Sequence, residues 1–177
     1  GGAVHADDNF WFSQLELGKL VRVDIDDLSH KVWDMPVAGY GMTIGASGYV
    51  WTCGERVARF DPLTETWQTV YTGGGLHTGG CMEDGKGRLY KGSHFVIHAI
   101  DVETMAIVDV INTLNPPQHF WGIALDFNGK LWAVPRSGTT AYRIDPVTHA
   151  ADIVQGLVGA YTYSDMTGYA LSSVVPQ

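Results

Sequence analysis

The sequence predicts an all-β fold made of repeated four-stranded antiparallel sheets, on three observations. First, a glycine is followed ten residues later by an aromatic four times: Gly2 to Phe12, Gly41 to Trp51, Gly80 to Tyr90 and Gly122 to Trp132. These glycines stand 39, 39 and 42 residues apart. Second, each aromatic is followed 10 to 13 residues later by an aspartate that closes an apolar run: Asp24, Asp61, Asp101 and Asp145. Third, the segments between are short and β-branched, are punctuated by Gly, Asn and Asp, and lack a helical apolar period. A period of about 40 residues built from short strands marks the blades of a β-propeller. Four blades are expected over 1–158, at about 2–40, 41–79, 80–121 and 122–158, and residues 159–177 add an extra inner strand and a C-terminal tail.

Within each blade the first strand follows the glycine, as AVHAD, MTIGA, CMED and IALD. A tight turn comes next, at Asp7-Asp8-Asn9, Ala46-Ser47-Gly48, Asp84 to Gly87 and Phe127-Asn128-Gly129. Asn and Gly supply the positive φ that short hairpins need. The second strand carries the aromatic, and its ring is expected to fill the space between blades rather than to hold a ligand. The third ends in the aspartate. Two of these aspartates open a D-P-x-T turn, at 61–64 and 145–148, where Pro presets φ and the carboxylate accepts backbone N–H groups two residues on. Their expected role is structural. The fourth strand is apolar and β-branched, as KVWDM, TWQTVY, AIVDVI and AADIVQ. His5 and Glu83 fall three residues after a blade glycine, where the other blades have Ile44 and Leu125, and fraying at a short strand end is the simplest account of them. The segment at 161–171 begins where a fifth inner strand is due. With four-bladed closure uncommon, the chain is expected to be an open arc, part of a larger ring completed by further blades or by a second copy.

At 177 residues the chain is long enough for a full core, and 45% apolar residues, 17% charged residues and 22 glycines describe a globular, turn-rich protein. A net charge of −8 argues against nucleic acid and against an anionic membrane surface. No apolar stretch is long enough to span a bilayer as a helix. The sequence shows no initiator Met or signal peptide and reads as a mature or excised piece, and few lysines with abundant Thr, Gly and Trp suit a secreted or periplasmic protein. Cys53 and Cys81 form no metal or redox motif. Two buried apolar thiols is the expected state, with a disulfide between neighbouring blades as the alternative.

Strand alternation sorts the loops onto two faces. Turns between strands one and two, and between three and four, share one face and are short. Connections between strands two and three, and from strand four to the next blade, share the second face and are long and varied. Binding residues concentrate on such loops. On that second face His77 and His119 each stand three residues before a blade glycine, near the channel mouth. Two imidazoles at matched positions are candidates for catalytic acid–base work and for a divalent metal ion, although hydrogen bonding to loop backbone accounts for them as well. His94 shares the face. Tyr40, Phe120, Trp121, Tyr161 and Tyr163 surround them as candidate ligand-binding rings or as plugs of the channel mouth.

The residues G-I-A-L-D-x-N-G-x-L-W at 122–132 and R-F-D-P-x-T at 59–64 resemble the NHL and virginiamycin B lyase-like group of β-propellers. So do the weaker copies at 41–51 and 142–148. The resemblance implies a ring of six blades, of which this chain carries about four. For the lyase subgroup it also implies a metal-assisted elimination that opens a cyclic depsipeptide, with a histidine before an inner strand and an acid after the following aromatic. His119 corresponds to the histidine, but Ala133, Val134 and Pro135 stand where the acid is expected. The leading expectation is therefore a non-catalytic extracellular binding or scaffold module for a small molecule, carbohydrate or peptide. The second is a metal-dependent lyase or hydrolase using His77 and His119, which needs a carboxylate such as Glu55, Glu83 or Asp165 beside them.

Overall fold

The computed structural model describes residues 1–73, 79–112, 118–160, 162 and 166. These residues form sixteen strands and no helix. Blade one holds β1 (Gly2–Val4), β2 (Phe10–Gln14), β3 (Lys19–Val23) and β4 (His30–Asp34). Blade two holds β5 (Gly41–Ile44), β6 (Val50–Cys53), β7 (Arg56–Asp61) and β8 (Thr66–Tyr71). Blade three holds β9 (Cys81–Glu83), β10 (Arg88–Gly92), β11 (Ile97–Asp101) and β12 (Ile107–Ile111). Blade four holds β13 (Phe120–Leu125), β14 (Leu131–Pro135), β15 (Ala141–Ile144) and β16 (Ala151–Val154). Each blade is an antiparallel meander in chain order. The first strands lie side by side, β1 against β5, β5 against β9 and β9 against β13, so they form the inner wall.

The pairing corrects the repeat in blade one by a single residue. Trp51 pairs with Thr43, Tyr90 with Met82 and Trp132 with Ala124. The ring in that place in blade one is Trp11, opposite Ala3, not Phe12. A slip of one residue turns a side chain to the other face of the sheet. Trp11 is 1% exposed between blades one and two, whereas Phe12 lies on the opposite face, stacked on Phe10 at 5.7 Å. Adjacent glycines and three consecutive aromatics left no local mark of which pair was in register.

The same slip separates His5 from Glu83. His5 is a turn residue: its Nδ1 accepts the Asp7 amide at 3.3 Å, as the Asp84 carboxylate accepts Lys86 N at 2.7 Å and Asp126 accepts Asn128 N at 2.9 Å. Glu83 does not sit at a frayed end. It is 4% exposed and accepts three bonds from blade two: Ser47 N at 3.0 Å, Ser47 Oγ at 2.7 Å and Trp51 Nε1 at 3.1 Å. A Cβ on Gly45 would stand 2.1 Å from Glu83 Oε2, so this interblade clasp requires glycine there.

The aspartates that close the third strands hold their turns. Asp61 Oδ1 accepts Leu63 N at 2.8 Å and its Oδ2 accepts Thr64 Oγ1 at 2.8 Å, while Asp145 Oδ1 accepts Val147 N at 2.8 Å. Asp101 accepts Thr104 N at 2.8 Å and Thr104 Oγ1 at 2.7 Å, and Asp24 accepts Asp26 N at 3.0 Å. Four residues after each aspartate the chain takes positive φ without glycine, at Leu28, Glu65, Met105 and His149.

Three apolar layers join the four blades. Trp11, Met42, Phe60 and partners fill the first, Trp51, Leu89 and Ile100 the second, and Tyr90, Phe120, Ile123 and Tyr142 the third. Cys53 and Cys81 are a disulfide, not two free thiols, with Cα atoms 6.3 Å apart. It joins the end of β6 to the start of β9, two strand ends that the blade repeat brings together at the second face. The four sheets do not close into a ring. Blade one therefore keeps an open face carrying Val4, Phe10, Phe12 and Val32, with Phe10 45% and Val32 48% exposed. At the other end, Thr162 and Met166 rest against Gly122, and Met166 packs on the third apolar layer, while the rest of the expected fifth inner strand lies outside the described residues. No helix among the described residues is long and apolar enough to cross a membrane.

Candidate binding face

The second face is built where strand ends from blades three and four meet. The β10–β11 loop and the approach to β13 are stitched by backbone bonds: Phe95 N donates to Gln118 O at 2.9 Å and Phe120 N to Ser93 O at 3.3 Å. His94 and His119 face each other as an isolated antiparallel bridge. Their rings lie 4.1 Å apart at 34°, and Phe95 meets His119 edge-on at 4.8 Å. Burial, then the neighbouring His119 and Lys91, push the His94 imidazole towards its neutral form. Phe95 holds φ at 66°, a region that non-glycine residues avoid, and leaves its ring 49% exposed.

A second aromatic group stands beside this one. Tyr40 meets Trp121 edge-on at 5.0 Å, and the Arg136 guanidinium lies 4.6 Å over the Trp121 ring. Arg136 N also donates to His119 O at 2.9 Å, which ties the β14–β15 loop to the histidine pair. Gln118, His119, Arg136 and Ser137 line a cleft of about 330 Å³ on this face.

Beneath the loops lies a buried polar chain. Lys91 is fully buried, and its Nζ donates to Ser93 Oγ at 2.7 Å and to Gly73 O at 3.2 Å. Ser93 Oγ in turn meets His98 Nδ1 at 3.2 Å. Burial, opposed by the Glu55 charge, drops the Lys91 amine to about 7, and burial and then Lys91 lower His98. The strand position of Lys91 is occupied by Phe12, Thr52 and Ala133 in the other blades. That one charged residue among four equivalents was the available sequence signal for this chain.

Of the residues expected at the mouth, the structure gathers Tyr40, His94, His119 and Trp121. Phe120 does not join them. It is 0% exposed and packs edge-on against Tyr142 at 5.6 Å, so its ring offers a ligand no surface. His77, Tyr161 and Tyr163 lie outside the described residues, as does Asp165. The candidate metal site is not assembled among the described residues, where no three His, Cys, Asp or Glu gather. The His94 and His119 rings lie tilted beside each other, and Glu83 is engaged by Ser47 and Trp51 in the adjoining blade. The candidate His77–His119 metal pair rests on His77, which lies outside the described residues. Two larger clefts among the described residues lie on the opposite, short-turn face. One, of about 600 Å³, lies between blades three and four beside Lys86, Arg88 and Lys130, and the other, of about 440 Å³, lies between blades one and two. Arg136 and Phe95 were not expected from the sequence, since neither occupies a repeat position that marks it.

No protein-family model and no curated protein matches this sequence. Solved structures do match its fold. Virginiamycin B lyase from Staphylococcus aureus superposes with a TM-score of 0.78 at 18% identity, over 94% of this chain and 59% of that one. U3-55K gives 0.73 at 10% identity, over 87% of this chain and 50% of that one. The extracellular domain of BT4673 from B. thetaiotaomicron gives 0.70 at 17% identity, over 93% and 24%. The chain thus spans about three-fifths of the length of the virginiamycin B lyase structure. Sixteen strands in four unclosed blades and these superpositions together identify the fold as a partial, virginiamycin B lyase-like β-propeller.

Proposed function

We propose that this chain is a non-catalytic binding module of an extracellular propeller, taking its ligand at the second-face mouth between blades three and four. The observation that carries this is the convergence there of Tyr40, Arg136 and the His94–His119 pair, set over the buried Trp121 and tied together by backbone hydrogen bonds. Aromatic rings with a few fixed polar groups suit a small molecule, carbohydrate or peptide. The Cys53–Cys81 disulfide supports a secreted or periplasmic location, because such bonds persist in oxidising compartments. The open face of blade one supports a ring completed by further blades or by a second copy.

Glycan and peptide arrays probed with the tagged chain test the proposal. The expected ligand loses binding in Tyr40→Ala and His94→Ala and keeps it in Lys86→Ala, on the opposite face. A ligand that ignores the first two substitutions and fails with the third overturns it. Elemental analysis supplies the other arm. A metal content of about one per chain that vanishes in His77→Ala with His119→Ala would replace this function with the metal-dependent lyase or hydrolase.

A further inference from the structure

We propose that the cleft formed by Gln118, His119, Arg136 and Ser137 binds the carboxylate of a small aromatic acid. This rests on the second face being the binding face and names the chemistry it selects. Arg136 is the central group. Its guanidinium is already stacked on Trp121 at 4.6 Å, and its own backbone N is tied to His119 O at 2.9 Å. A cation so placed loses little freedom when a ligand arrives. It is also unneutralised: among the described residues Arg136 is exposed and joins no ion pair, a state it shares with Arg56 and Lys86, but Arg136 alone of these lines a cleft on the second face. An unpaired, oriented guanidinium in a chain of net charge −8 is set to take an anion.

The surroundings select the kind of anion. Among the described residues Arg136 is the only fixed cation lining the cleft, and Gln118 and Ser137 add uncharged hydrogen-bonding groups. One positive charge matches a monoanionic carboxylate, which a guanidinium binds through two parallel N–H bonds. A phosphate dianion would keep excess charge. The ring preference comes from Phe95 and His119. Phe95 is held at a positive φ with half of its ring in solvent, against the edge of His119. A strained, exposed aromatic packed on His119, which lines the cleft, is an arrangement that folding alone does not favour and that a ring-bearing ligand would cover. A volume of about 330 Å³ accommodates a one-ring acid.

Amide-detected NMR titration of the full chain at neutral pH tests this, with benzoate, benzamide and inorganic phosphate as probes. Benzoate is expected to give saturating shifts at Gln118, His119, Arg136 and Ser137, with a Kd on the order of millimolar for so small a ligand. Benzamide and phosphate should bind about tenfold more weakly or worse. Arg136→Gln should lower benzoate affinity about tenfold with its dispersed spectrum retained, and Phe95→Ser should weaken benzoate while leaving acetate unchanged. Should Arg136→Gln lose its fold, Ser137→Ala, expected to weaken benzoate severalfold, takes its place. Equal binding of benzoate and benzamide, or shifts centred on the Lys86–Lys130 cleft, overturns the proposal. The failure can be located. An array ligand that maps to the second face but is indifferent to Arg136→Gln removes the aromatic acid and leaves the binding face standing. One that maps to the opposite face removes both.

Discussion

At the scale of single residues, polar groups buried between blades are the most informative. Glu83 is buried with three donors from Ser47 and Trp51, and removing its carboxylate would leave the Trp51 indole N–H in an apolar layer without an acceptor. Lys91 is the opposite case, a buried amine whose environment favours the neutral form. Its folded value of about 7 lies below the ordinary 10.5, so between those values the unfolded chain holds more protons than the folded one. Stability from this group therefore rises as pH increases through that window and is lowest below about 7. Urea unfolding at pH 7 and pH 9 should show a gain of about 2 kcal/mol in the native sequence. Lys91→Met should flatten that rise, and an unchanged rise in the variant would assign the pH dependence elsewhere. Lys91 was legible as an oddity only after the strands were aligned, because a lysine inside a strand ordinarily points to solvent.

At the scale of elements, the turns after the third strands follow one geometry four times. The amide four residues after the aspartate donates to the aspartate carbonyl, in Leu28 to Asp24 at 3.1 Å and Glu65 to Asp61 at 2.8 Å. The donor residue itself sits at positive φ, which costs a residue with a Cβ about 1 kcal/mol. Glu65 and His149 recover something through Lys31 and Asp109 in neighbouring blades, and Met105 through burial. Leu28 is 73% exposed at φ 59°. Leu28→Asn should therefore stabilise the protein by about 0.5–1 kcal/mol, read as a shift in the urea midpoint with unchanged slope. The Cys53–Cys81 bond closes a separation of 28 residues across two blades. Reduction, or replacement of both cysteines by Ala, should lower stability by about 3 kcal/mol. A loss below about 1 kcal/mol would mean that the second apolar layer holds blades two and three without the crosslink.

At the scale of the whole molecule, the ring is open, and the open end has a defined chemistry. Blade one faces outward with Val4, Phe10, Phe12 and Val32, the side of the sheet that a preceding blade would cover. Uncovered apolar area of this kind drives association. Sedimentation velocity of this chain should show concentration-dependent self-association that Phe10→Lys with Val32→Lys reduces to monomer. A compact monomer at all concentrations in the native sequence would mean that the chain covers this face by itself. The opposite end is partly covered, because Thr162 and Met166 occupy the space over Gly122.

The repeat, the strand order, the turn aspartates and the division into two loop faces were determined by the sequence alone, because each is a local consequence of period-two alternation and turn chemistry. Tyr40, His94, His119 and Trp121 could be assigned to one face for the same reason. Three things required the tertiary structure. The register of blade one turned on whether Trp11 or Phe12 found a neighbouring blade to pack against. The pairing of Cys53 with Cys81 turned on two blades bringing strand ends together across 28 residues. The cleft at Arg136 turned on a guanidinium finding Trp121 across a loop, and Phe120 was lost to the core because its ring met Tyr142 rather than solvent. Each is a contact between segments distant along the chain, and the alternation that marks a strand contains nothing about which side of it another blade will cover.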